Sequence, residues 1–224
     1  MREAQNKIQN FQQAEETIRR VLKTYQPRKL SVNGSRQASV LIPLLNRESV
    51  PYLIFTRRTE LVEHHKGQIS FPGGMHDRAD TSLLQTALRE TDEEIGVHPE
   101  EIQVIGQLDD LYTVTNFLIT PFVGILTATP SFRLSTDEVA EVLEVPLRLF
   151  LTNEHFEIKK WEYRGKFYDV YFYHFHDHVI WGATGFIVNR FIHVVFGYNP
   201  APNPVYRDPR NEAYLQENIT RRSG

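Results

Sequence analysis

Apolar and polar positions change period several times along the chain, and each change marks an element. Near the N-terminus, Ile8, Phe11, Ile18, Val21 and Leu22 recur at helical spacing among Gln and charged residues. That predicts a helix over residues 2–24, which Pro27 helps to end. Two short apolar runs follow, Ala-Ser-Val-Leu-Ile-Pro-Leu-Leu over 38–45 and Pro-Tyr-Leu-Ile-Phe-Thr over 51–56. They read as paired strands joined by the polar turn around residues 46–49. The stretch from Arg57 to Gly74 reads as a loop, and the spacing after it predicts a helix over 81–95, capped by Asp80 or Thr81 and closed near Gly96. Strands are expected over 101–107, 111–114 and 118–127, a mixture of helix and turn over 137–150 around Pro146, a hairpin of 156–163 with 166–176, and a last helix over 184–196. Strands interrupted by a few helices, without regular βαβ alternation, imply an α/β chain with a mixed sheet and helices on its faces. The expected organisation is an N-terminal helix (1–30) packed on a central domain (31–198), followed by a Pro-rich tail (199–224).

Composition removes several function classes. The 224 residues suffice for one well-filled core, with 41% hydrophobic and 24% charged residues. The formal net charge of -3 gives no electrostatic case for nucleic acid as a partner, though it leaves room for a small anionic substrate in a local basic pocket. Without cysteine there is no disulfide, no thiolate nucleophile and no Cys-based zinc site. No apolar run reaches membrane-spanning length, and the polar N-terminus differs from a secretory signal. The expected location is the cytoplasm, with no membrane partner.

The most informative stretch is Arg89-Glu90-Thr91-Asp92-Glu93-Glu94-Ile95-Gly96-Val97. At ~100° per residue, Glu90, Glu93 and Glu94 fall within one arc of a helix, while Leu84, Leu88, Thr91 and Ile95 form a separate apolar stripe. Like charges so spaced disfavour the helix by about a few tenths of a kcal/mol per pair. A hard divalent cation offsets that, because it takes several oxygen ligands. A solvated acidic face is the bland alternative. Gly73-Gly74, just upstream, lets backbone approach a ligand closely.

Together these residues resemble the Nudix box, G-x5-E-x7-R-E-U-x-E-E-x-G-U with U apolar: Gly74, Arg89, Glu90, Glu93, Glu94, Gly96 and Val97 match. Asp80 stands at the position of the first Glu, the spacer after it is one residue longer, and Thr91 replaces an apolar residue. The run from Leu53 through Arg58, His65, Gly67, Gln68 and Ile69 to Phe71-Pro72-Gly73-Gly74 is similar to the signature of the coenzyme A pyrophosphatase branch, which shares the longer spacer and the Asp.

The resemblance implies a Nudix α/β/α sandwich. It implies Glu90, Glu93 and Glu94, with the Gly74 carbonyl, as ligands of Mg²⁺ or Mn²⁺. Arg89 would orient a box glutamate, and Gly73 and His65 would shape the loop. The general base is Glu90 or Glu138, unless Glu138 only complements a helix dipole. Arg58 and Gln68 would contact a nucleotide substrate resembling coenzyme A; Arg57 and Lys66 are weaker candidates. The expected reaction releases 3′,5′-ADP and 4′-phosphopantetheine or its acyl form. ADP-ribose or NADH hydrolysis is the rival reading, and a non-catalytic Nudix-fold binding module a further one. A homodimer is compatible with all of them. Separately, His174, His176 and His178 alternate: in an extended strand they would share a face and could hold zinc, or they simply end an aromatic strand.

Overall fold

The computed structural model describes residues 2–60, 67–163 and 165–200. In chain order its elements are α1 (Arg2–Asn6), α2 (Phe11–Thr24), β1 (Arg36–Arg47), β2 (Val50–Arg58), β3 (Ile69–Ser70), β4 (Gly73–Met75), α3 (Leu83–Ile95), β5 (Ile102–Gln107), β6 (Leu111–Tyr112), β7 (Phe117–Leu126), β8 (Val139–Pro146), β9 (Phe156–Tyr163), β10 (Lys166–Phe175), β11 (His178–Trp181) and α4 (Gly182–Phe196).

β1 is the axis of the main sheet. It pairs in parallel with β7 along one edge, and on the other edge with β4 at its start and β2 at its end, both antiparallel. The sheet extends from β7 to β5 and β6, and from β2 to β8 and β3. One parallel pair among antiparallel ones makes it mixed. Alternation along β1 sends Ile42 and Leu44 to one face and Leu41 and Leu45 to the other. The first face packs with Phe11, Ala14, Ile18 and Leu22 of α2 and Ile187, Val188, Phe191 and Ile192 of α4. The second packs against Ala87 and Ile95 of α3. The result is the expected α/β/α sandwich around a mixed sheet. A second sheet, β9-β10-β11, adds Tyr171, Tyr173 and Ile180 to the first core. Among the described residues no helix is long and apolar enough to cross a membrane.

A buried knot ties the ends of this arrangement. Arg190 of α4 donates to Asp109 at 3.0 and 2.6 Å and to the Tyr25 hydroxyl at 2.9 Å. Asp109 also accepts from Tyr25 and from the Arg28 amide.

Several sequence expectations change. The single helix over 2–24 is two, because the Asn10 side chain caps α2 by accepting the Gln13 amide. α3 is capped by Ser82, not by Asp80 or Thr81: the Ser82 hydroxyl accepts from Gln85, and Gly96 closes the helix in the left-handed region. Residues 139–146 are a strand paired with β2, with only a short 3-10 turn after Pro146, where helix and turn were expected. The turn between β1 and β2 is the two-residue Glu48-Ser49, both at positive φ, as a tight hairpin between twisted strands requires.

Candidate active site

The Phe71-Pro72-Gly73-Gly74 segment is fixed from its buried end. Phe71 stacks on Phe55 at 4.5 Å in the core, and the Pro72 carbonyl accepts the Leu41 amide. Gly73 and Gly74 then pair with Val40 and Ser39 of β1. A Cβ on Gly73 would collide with the Ser39 carbonyl and the Val40 backbone, and its φ of +149° also excludes other residues. A Cβ on Gly74 would collide with the carboxylate of Glu90. The glycine pair is what lets α3 sit directly over β4.

α3 does not present its three glutamates alike. Glu94 belongs to the buried stripe with Ala87, Thr91 and Ile95, and is only 3% exposed. Leu84 and Leu88, expected in that stripe, are half-buried. Glu90 is half-buried, and the Glu93 side chain is 59% exposed. Burial pushes Glu94 up to about 8; the Glu90 charge adds to this, while the Gly73 amide at 3.4 Å and Arg58 at 3.9 Å act against it. Burial raises Glu90 too, with Arg89 opposing. The two carboxylates are crowded into a poorly hydrated place, and Arg89 and Arg58 only partly offset the burial.

Arg89 sits between acidic groups. Its Nε and Nη2 fork onto Asp80 at 2.9 and 3.1 Å, Nη2 also reaches Glu90 at 2.9 Å, and Nη1 reaches Glu93 at 2.7 Å. The Asp80 side chain is 2% exposed, and the Arg89 bonds hold it well below the usual carboxylate range.

Arg58 comes in from the end of β2 on the α3 face, with Nη1 3.9 Å from Glu94. Its amide is bonded by the Gln68 carbonyl, so the two candidate substrate contacts stand side by side across the β2–β3 pair. Arg57 points to the opposite face, where Glu141 holds its Nε at 2.9 Å. His64, His65 and Lys66 lie outside the described residues, as does the tail beyond residue 200.

Glu138 arrives by a route the sequence did not reveal. The loop before it is bonded to the end of α3 through Arg133 and Ser135, whose amides donate to the Ile95 and Glu94 carbonyls. Thr59, just past the end of β2, then clasps it, donating its amide to the Glu138 carbonyl and its hydroxyl to that of Asp137. Glu138 is exposed, and its charge adds to the upward shift of both Glu90 and Glu94. It does not complement a helix dipole, because β8 and not a helix follows it. Thr59, Ser135 and Thr86 carry no sequence signal beyond being turn- or cap-forming types.

The donor set of Glu90, Glu93, Glu94 and a glycine carbonyl is hard oxygen, which suits Mg²⁺ or Mn²⁺. The crowding of Glu90 and Glu94, which raises both, fits a cation as well. Among the described residues, however, no three acidic or His side chains are gathered around one point; the Glu93 side chain is exposed and bonded to Arg89. The histidines do not form a zinc site. His174 bonds Glu157, His176 lies in a turn at a φ of 51°, and His178 faces Glu141. The strand ends at Phe175, so the three imidazoles do not share a face.

A NUDIX domain model matches residues 35–177. An uncharacterized Nudix hydrolase NudL of Photorhabdus laumondii is 39% identical over 164 residues, covering 73% of this chain and 87% of that protein. The protein of the same name in Citrobacter koseri is 37% identical over 178 residues, covering 78% and 92%. Among solved structures, a MutT/nudix family protein from Enterococcus faecalis aligns with a TM-score of 0.48 at 17% identity, over 83% of this chain and 71% of that one.

Proposed function

This chain belongs to the Nudix family and is a hydrolase acting on pyrophosphate bonds, and we propose that its substrate is coenzyme A or an acyl derivative, cleaved to 3′,5′-ADP and 4′-phosphopantetheine or its acyl form. The observation that carries the reading is the placement of the Arg58 guanidinium 3.9 Å from Glu94, whose carboxylate also faces the Gly73 amide. A guanidinium there can accept a phosphate next to the diphosphate being cut, and coenzyme A has such a phosphate besides its diphosphate.

Nudix hydrolases generally use divalent metal ions. Here Glu90, Glu93, Glu94 and the Gly74 carbonyl would hold Mg²⁺ or Mn²⁺. When bound, the ion supplies charge neutralisation for the phosphoryl oxygens and lowers the pKa of a water. The chain's own residues do the rest. Arg89 aims Glu90 and Glu93, Arg58 binds phosphate, and Glu90 or Glu138 takes a proton from the attacking water. Between those two, Glu138 is exposed on a loop clasped by Thr59, whereas Glu90 is partly occupied by Arg89. A cytoplasmic enzyme would meet this substrate directly.

The test is product analysis with coenzyme A, ADP-ribose and NADH offered in parallel, with Mg²⁺ or Mn²⁺. The expected products are 3′,5′-ADP and 4′-phosphopantetheine. Turnover of ADP-ribose or NADH alone would overturn the substrate assignment.

A further inference from the structure

We propose that Thr86 is a positioning residue for the box: acting through Asp80 and Arg89, its hydroxyl fixes where Glu90 and Glu93 present their oxygens. This rests on the reading of those glutamates as metal ligands.

Thr86 is fully buried on α3. Its Oγ1 lies 2.9 Å from Asp80 Oδ2 and 2.9 Å from His76 Nδ1, with the Ser82 carbonyl at 3.3 Å. A hydroxyl has one proton to give. Asp80, forked by a guanidinium, is ionised and can only accept. Of its two acceptors, the Ser82 carbonyl and Asp80, the carboxylate is the closer and the charged one, so the Thr86 proton goes to Asp80 and His76 presents Nδ1–H to the hydroxyl oxygen. A directed chain results, from imidazole through hydroxyl to carboxylate, and it meets Arg89 coming from the other side.

Fork geometry requires the carboxylate and guanidinium to be nearly coplanar. Thr86 and the Asp77 amide, at 3.1 Å, hold Asp80 Oδ2 from behind and so set that plane. With Nε and one Nη2 proton committed to Asp80, the other Nη2 proton goes to Glu90 and an Nη1 proton to Glu93. Without the hydroxyl, the Asp80 plane is held by the Asp77 amide alone, and the Arg89 fork that orients Glu90 and Glu93 can turn with it. A purely structural alternative exists, because mid-helix Thr hydroxyls often bond the carbonyl four residues back. That role would affect stability and nothing else.

The experiment uses the full chain. Mn²⁺ is titrated by calorimetry without substrate, alongside a melting curve, for wild type, Thr86→Val, Thr86→Ser, Asp80→Asn and Glu93→Gln. Valine keeps the shape and loses the hydroxyl. Thr86→Val is expected to raise the Mn²⁺ Kd about tenfold, the loss of one charge-assisted bond, and serine to restore it to within about twofold. Wild-type affinity in Thr86→Val with only the melting temperature shifted overturns the proposal. Should Thr86→Val not fold, Asp80→Asn carries the same expectation, and wild-type affinity there overturns it equally. Glu93→Gln reports separately on the underlying reading: if it binds Mn²⁺ like wild type, the ligand assignment fails, whatever Thr86 does.

Discussion

Gly74 lies directly under the carboxylate of Glu90: a Cβ on residue 74 would stand 2.5 Å from either carboxylate oxygen. Gly73, one residue earlier, is closed off by β1 backbone instead. Neighbouring glycines therefore serve different ends, and alanine should separate them. Gly73→Ala has to move backbone and adopt a strained φ. It should lower stability by about 2 kcal/mol or more. Gly74→Ala can be relieved by swinging Glu90 away. It should melt near wild type and lose most of its turnover. Chemical denaturation and steady-state kinetics on both variants check this, and the opposite pattern would refute it.

Glu93 and Glu94 differ in burial but share a proposed role as ligands. Replacing either by Gln keeps size and removes charge. Each variant should fold, as judged by circular dichroism. Each should also lose roughly three orders of magnitude in kcat, since metal-assisted charge stabilisation is worth several kcal/mol. Glu94→Gln should in addition raise the melting temperature of the metal-free protein at pH 7, because wild type must take up a proton there to bury Glu94 and Gln need not. Near-normal turnover in both would remove the assignment.

Arg58 offers a substrate test. If it binds a phosphate of coenzyme A, Arg58→Ala loses a charge-assisted bond of roughly 1.5–3 kcal/mol, about a tenfold to hundredfold drop in kcat/KM. With 3′-dephospho-coenzyme A the drop should vanish if the bond is to the 3′-phosphate, and persist if it is to the diphosphate. Unchanged kcat/KM on both substrates would take Arg58 out of the site.

The Asp109–Arg190 pair gives a prediction in pH. Burial pushes Asp109 up, but the Arg28 amide, the Tyr25 hydroxyl and Arg190 outweigh it, and its pKa ends below the ordinary value. A depressed carboxylate adds stability that is fully present above its unfolded pKa of roughly 3.9, and loses it as pH falls through the folded value. Urea unfolding between pH 5 and pH 3 should show wild type losing stability faster than Asp109→Asn. At pH 7 the variant should be destabilised by about 3 kcal/mol, because Arg190 stays buried beside a neutral partner. Parallel pH curves for the two proteins would show that the pair does not titrate in this way.

The sandwich and the helix carrying the box were legible because the apolar period of residues 38–56 agrees with the burial they reach and residues 81–95 keep helical spacing up to Gly96, even though Leu84 and Leu88 stay half-buried. Residues 139–146 were not, since Glu141 and Glu144 interrupt the alternation. Their reason is across the strand: Arg57 and Arg47 pair with them from β2 and β1. Within the site, the identity of Glu90, Glu93 and Glu94 was readable but their inequality was not. Spacing places three carboxylates on one arc, and only the closeness of β4 decides which of them is buried. Asp80 looked like a helix cap because an acidic residue there usually is one. Its actual partner, Arg89, is nine residues away, beyond what a local pattern can report.

The parallel pairing of β1 with β7 joins Ser39 to Thr120, 81 residues further along the chain. Contacts so distant in sequence close late and slow the approach to the native state. During synthesis the acidic helix leaves the ribosome well before β7, so it has only half a sheet to lie on. Until β7 arrives, Ala87 and Ile95 lack Leu126, their partner from that strand in the finished core. The box helix is thus made early and seated late, and in that nascent interval its apolar stripe is open to self-association.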